Sequence, residues 1–185
     1  MKIKVDNMQL IHRKVPREFL EMLPDGMKFI HRHDKEFLVV EEVACSNGHS
    51  LMENSVRIHD EPSIKIAVER PNGLGLIFID AFWGSHAKLY DFMPGPGEHI
   101  TFAAAHCPTC GTSLVVDRPC GRMECDSKRS FLFHLPGENN YIYVCSKLGC
   151  PDHSIVVGGL PQHLNKLVSD INFFGYGEDE QFKGI

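Results

Sequence analysis

The chain holds one tryptophan and four tyrosines among 185 residues, and its charge has no basic surplus. Residues 1–100 carry 12 Lys/Arg against 15 Asp/Glu, and residues 101–185 carry 7 against 9, for a net charge of −5. Neither part has the excess of cations that holds a protein on a phosphate backbone. No apolar run comes near the ~20 residues that a bilayer-spanning helix requires. The first nineteen residues lack a continuous apolar stretch followed by small residues, so a secretory leader is not expected. H-E-x-x-H, G-x-S-x-G and Walker A segments are also missing, which removes the common signatures of zinc proteases, serine hydrolases and phosphate-loop enzymes. These absences point to a soluble, cytoplasmic protein that avoids membranes and whose composition argues against nucleic acid as its partner.

What the chain does have is cysteine, seven in all, in a background of 43% hydrophobic and 23% charged residues. That composition supports one ordinary domain or two small ones. An odd number of cysteines leaves one over from any closed disulfide framework, and in a reducing compartment closely spaced cysteines serve as metal ligands more often than as disulfides.

Element patterns give a mainly β chain (α+β) with short helices near both ends. Pro16 suits a first helical turn, and Phe19, Leu20 and Leu23 form one apolar face, predicting a helix over 15–23 that stops at Pro24-Asp25-Gly26. Strands are predicted over 27–31 and 37–44, and over 64–69 and 74–81 around the turn Pro71-Asn72-Gly73. Four breakers after Met93 mark a linker, dividing the chain into an N-terminal β-rich unit (1–94) and a metal-ribbon unit (95–185). The second unit should hold strands over 100–104, 113–116, 130–135 and 141–145, then a helix over 161–174. On that helix Leu164, Leu167, Val168 and Ile171 recur at helical spacing.

Cys107-Pro108-Thr109-Cys110-Gly111 is the most specific segment. Two thiolates two residues apart on a tight turn can bind one ion at ~2.3 Å each while backbone amides donate to the sulfurs. The segment resembles the zinc knuckle of zinc-ribbon and rubredoxin-like proteins. That resemblance covers these residues and the strand after them, and it implies Zn2+, with iron as a minor alternative. Either Cys120 and Cys125, or Cys145 and Cys150 followed by His153, could complete a tetrahedron. The second pair is favoured because Cys145 ends a strand. Cys120 and Cys125 then either hold a second ion with His153 or remain free thiols, and a two-ion arrangement would draw its eighth ligand from His134 or His106.

The N-terminal half echoes this pattern as a degenerate tandem repeat. Residues 43–52, with Cys45 and His49, lie over 105–114, and Leu76-Ile77-Phe78-Ile79-Asp80 lies over Tyr141-Ile142-Tyr143-Val144-Cys145. In this alignment Gly84 falls on Gly149, and His59 falls near Cys120. A first-copy metal site would use Cys45, His49, Asp80 and His86.

Three functional classes follow. A non-catalytic interaction or accessory module with structural zinc, working through a protein partner, fits thiolate-rich ligand sets. A metal enzyme would activate water at Cys45/His49/Asp80/His86, with Glu53, Asp60 or Glu61 as base. A nucleic-acid-binding ribbon would use Arg118, Arg122, Lys128 and Arg129 beside Phe131 and Phe133, but Asp117, Glu124 and Asp126 are interleaved with them.

Overall fold

A computed structural model describes residues 16–32, 35–85, 87–93, 104–147, 150 and 152–170. The architecture is mainly β, as the patterns predict, with eleven strands in three antiparallel sheets and two short helices among the described residues. Helix α1 (Arg17–Glu21) starts after Pro16 and buries Phe19 completely. Strands β1 (Met27–Arg32) and β2 (Lys35–Val40) form a hairpin in the register Met27↔Val40 to Arg32↔Lys35.

The other two sheets share one design. The first has the order β3-β4-β5-β6, from Met52–Ile58, Glu61–Arg70, Gly73–Ile79 and Lys88–Tyr90. The second has β8-β9-β10-β11, from Val115–Val116, Ser130–His134, Tyr141–Cys145 and His153–Val156. Their registers correspond: Ile64↔Ile79 is matched by Phe131↔Val144, and Ile77↔Tyr90 by Ile142↔Ile155. The middle strands bury Ile64, Ile66, Ala67 and Val68 on β4 and Phe131 and Phe133 on β9.

The sheets are laced together by backbone. Strand β7 (Ala105–His106) leaves the later part of the chain and pairs with Ala67 and Val68 on β4. Reciprocally, Ala44 from the early part forms a bridge with His134 on β9. Each middle strand is therefore flanked by a segment from the other half of the sequence. The boundary expected near residue 94 lies outside the described residues. Buried side chains of both sheets, the β1–β2 hairpin and both helices belong to one cluster. Sealing a side chain such as Phe133, 0% exposed, contributes about 2–3 kcal/mol.

Helix α2 (Gln162–Ser169) packs Leu164 and Val168 inward, while Leu167 is 40% exposed, so the buried stripe is narrower than the pattern suggests. Ile171 lies outside the described residues. The helix is tied down by Trp83, whose indole Nε1 donates to the Val168 carbonyl at 2.8 Å. Strands β3, β6 and β11 have no counterpart in the predicted elements. β3 is a half-exposed strand with little apolar alternation, and β6 and β11 are too short to give a period. Strand 100–104 falls largely outside the described residues.

Candidate metal centres

Two turns of the same construction face each other. In the first, the Cys45 N–H donates to the His49 carbonyl and the Leu51 N–H to the Val43 carbonyl. In the second, the Cys107 N–H donates to the Thr112 carbonyl and the Leu114 N–H to the Ala105 carbonyl. Each is closed by a bridge, Ala44↔Ser50 and His106↔Ser113, and each serine hydroxyl accepts from the N–H two residues on. Each also turns through a glycine at positive φ, Gly48 at 82° and Gly111 at 73°, a conformation that side chains resist. Leu51 and Leu114 anchor the exits of the two turns, both 2% exposed.

These turns bring Cys45, His49, Cys107 and Cys110 together, with every donor atom within 4.8 Å of the others. Cys45 Sγ lies 3.6 Å from His49 Nδ1 and 3.8 Å from Cys110 Sγ. A tetrahedral ion with Zn–S near 2.3 Å and Zn–N near 2.0 Å would set S···S edges of ~3.8 Å and S···N edges of ~3.6 Å. Thiols bridged as a disulfide would sit near 2.05 Å, and all seven cysteines are free.

A second cluster joins Cys120 and Cys125, from the loop between β8 and β9, to Cys145 and Cys150. Here Cys120 and Cys150 are 3.6 Å apart, and Cys125 and Cys145 are 3.7 Å apart. Either four-donor set could hold a metal ion.

The pairing differs from the favoured reading of the sequence. Cys107 and Cys110 are completed by Cys45 and His49, and Cys145 and Cys150 by Cys120 and Cys125. No spacing rule reaches this result, because the strand exchange between sheets decides which turns meet. The usable clue was the likeness of residues 43–52 to 105–114, since each segment offers two donors and neither offers four.

Asp80 is not brought to Cys45 and His49. Its side chain is fully buried elsewhere, where its carboxylate accepts from His59 Nδ1 at 2.6 Å, from the Phe82 N–H at 3.0 Å and from the Ser85 hydroxyl. His86 lies outside the described residues. His153 is not in the second cluster; its ring meets Trp83 edge-on at 4.7 Å. Nor do His134 and His106 serve as the eighth ligand. The first stacks edge-on against Tyr141, and the second pairs with Glu69 at 2.8 Å.

No family model, curated protein or solved structure matches this chain. The chemistry of the two clusters therefore has to come from their own geometry and charge.

N–H groups point at the sulfurs, as thiolates require. The Asn47 amide donates to Cys110 at 3.5 Å, the Arg122 N–H to Cys120 at 3.4 Å and the Lys147 N–H to Cys145 at 3.5 Å. The Thr112 N–H and the Asn47 amide pull the exposed Cys110 thiol down to about 6. Burial acts the other way on its neighbour Cys45, and it pushes Cys150 up to about 11 and Cys120 upward as well. Four thiolates this close repel one another, so full ionisation requires a cation among them. Lys88 lines the same cavity as Cys150; burial pulls its ammonium down, and the charges of Cys150 and Cys145 hold it up.

Proposed function

We propose that this chain is a non-catalytic accessory module that carries two structural zinc ions and works through a protein partner. The observation that carries the reading is completeness. Each cluster supplies four protein donors within 4.8 Å of one another, with edges of 3.6–3.8 Å where the donors touch, and an ion held by all four would have no position open for a substrate or an activated water. A set of three thiolates and one imidazole, beside one of four thiolates, matches a borderline-soft ion with no geometric preference of its own.

The hydrolytic alternative needs Asp80 in the first cluster, where it is not found. The nucleic-acid alternative relies on Arg118, Arg122, Lys128 and Arg129, yet Arg129 pairs with Asp117 and Arg122 with Glu124. Arg118 lies 3.9 Å over the Tyr143 ring and donates to Ser154.

Elemental analysis of the purified protein tests the proposal. The expected result is two zinc ions per chain, with loss of cooperative unfolding after chelation. Metal-free protein that stays folded would overturn it, and a red colour as purified would replace zinc by iron in the four-thiolate set.

A further inference from the structure

The correspondence between the two sheets continues past their third strands. The Asp80 N–H donates to the Ala87 carbonyl at 3.1 Å, and the Cys145 N–H to the Asp152 carbonyl at 3.0 Å. Inside those turns the Ser85 N–H donates to the Phe82 carbonyl at 3.1 Å, and the Cys150 N–H to the Lys147 carbonyl at 3.1 Å. Backbone position by position, Asp80 stands where Cys145 stands, and Ser85 where Cys150 stands. The remaining donors of the four-cysteine set, Cys120 and Cys125, come from the segment that precedes the middle strand β9. In the first sheet the segment before the middle strand β4 is a tight turn, and it supplies His59. The side chains of Asp80, Ser85 and His59 converge there as the four cysteines do.

We propose that the His59–Asp80–Ser85 cluster is the metal site of the first of two duplicated units, closed by hydrogen bonds after its thiols were exchanged, and that its frame still aims three donors at one point for a borderline divalent cation. This inference rests on the second cluster being a metal site. The physical case is the equivalence of the frames. The same two backbone hydrogen bonds fix the direction of the side chains at 80 and 85 as fix those at 145 and 150. His59 and Asp60, with φ of 52° and 66°, are the left-handed pair of the two-residue hairpin turn between Ile58 and Glu61, and that turn sets the His59 ring against Asp80. That turn replaces the longer loop before β9, so one donor arrives there in place of two. Without soft thiolates the cluster satisfies itself: a buried carboxylate accepts three hydrogen bonds and needs no ion.

The test restores thiolate in the full-length protein. Ser85→Cys exchanges oxygen for sulfur and leaves a Cys/His/Asp set; Asp80→Cys/Ser85→Cys recreates the pair found at 145 and 150, beside His59. Cobalt(II) uptake, read by its visible bands and by metal analysis, is expected to rise by one ion per chain over the unsubstituted protein. Adding His59→Ala to Ser85→Cys should abolish that increment. If Ser85→Cys protein with an unchanged circular dichroism spectrum takes up no additional cobalt, the inference is overturned. If the double variant fails to fold, the Ser85→Cys result decides alone. Failure of the metal reading itself shows differently, as an unsubstituted protein that holds neither zinc nor cobalt by metal analysis.

Discussion

Removing one turn of the first centre, by Cys107→Ser/Cys110→Ser, should destabilise the protein through the chain it no longer clips. Cys45 and Cys110 are 65 residues apart in sequence, and an ion joining them closes that length into a loop. Treated as a cross-link, such a loop restricts the unfolded chain by about 4.3 kcal/mol at 25 °C, while the 30-residue separation of Cys120 and Cys150, the outermost pair of the second set, gives about 3.6 kcal/mol. A domain of this size is stable by about 5–15 kcal/mol in total, so the variant should lose a large share of its stability. Urea unfolding of zinc-loaded protein, followed through the emission of the single tryptophan, measures the loss. Trp83 reports well because it is 4% exposed and bonded to α2. The matched variant Cys120→Ser/Cys125→Ser should lose less. Cys107 is itself 2% exposed, so a serine there could act by burying a hydroxyl instead. Cys107→Ala/Cys110→Ala separates the two causes, because it removes the same ligands without placing a hydroxyl in the buried site. An alanine variant within ~0.5 kcal/mol of the parent, both assayed with zinc, would refute the cross-link reasoning.

Trp83→Phe should cost about 1–2 kcal/mol in urea, read by circular dichroism, because the buried Val168 carbonyl loses its donor. Gly26→Ala should destabilise by about 2 kcal/mol or more, since φ there is +89° and a Cβ would lie 2.5 Å from Pro136 Cδ and 2.6 Å from the Glu42 carbonyl oxygen. Thermal melts that match the parent would contradict it. Hydrogen bonds and charge from Lys65, with help from Ser55, hold Glu53 down at about 2. Its folded value lies below its ordinary 4.5, so its contribution is present above pH 4.5 and fades as pH falls toward 2. Glu53→Gln should therefore cost about 0.5 kcal/mol at pH 7 and nothing near pH 2, a convergence visible in paired urea titrations.

Cysteine spacing, turn chemistry and alternation made part of this protein readable without a structure. Proline before a helix, Pro-Asn-Gly between two strands and the knuckle at Cys107 act within a few residues, and local sequence suffices for them. The likeness of Leu76–Asp80 to Tyr141–Cys145 was also legible, since both segments carry the same strand pattern up to a polar end. Short strands such as β6 and β11 were not legible, because three or four residues carry no period and exist through their neighbours.

By itself, then, the sequence determined a β-rich chain, a tandem pattern and a set of thiols suited to metal. Which donors meet was decided only in the tertiary structure. Strand β7 pairs with the first sheet and Ala44 with the second, and that exchange carries Cys45 and His49 to Cys107 and Cys110. The same packing draws Asp80 away to His59 and Ser85. Ligand sets gathered across 65 residues depend on which strand edges pair, and a linear spacing contains no record of that choice.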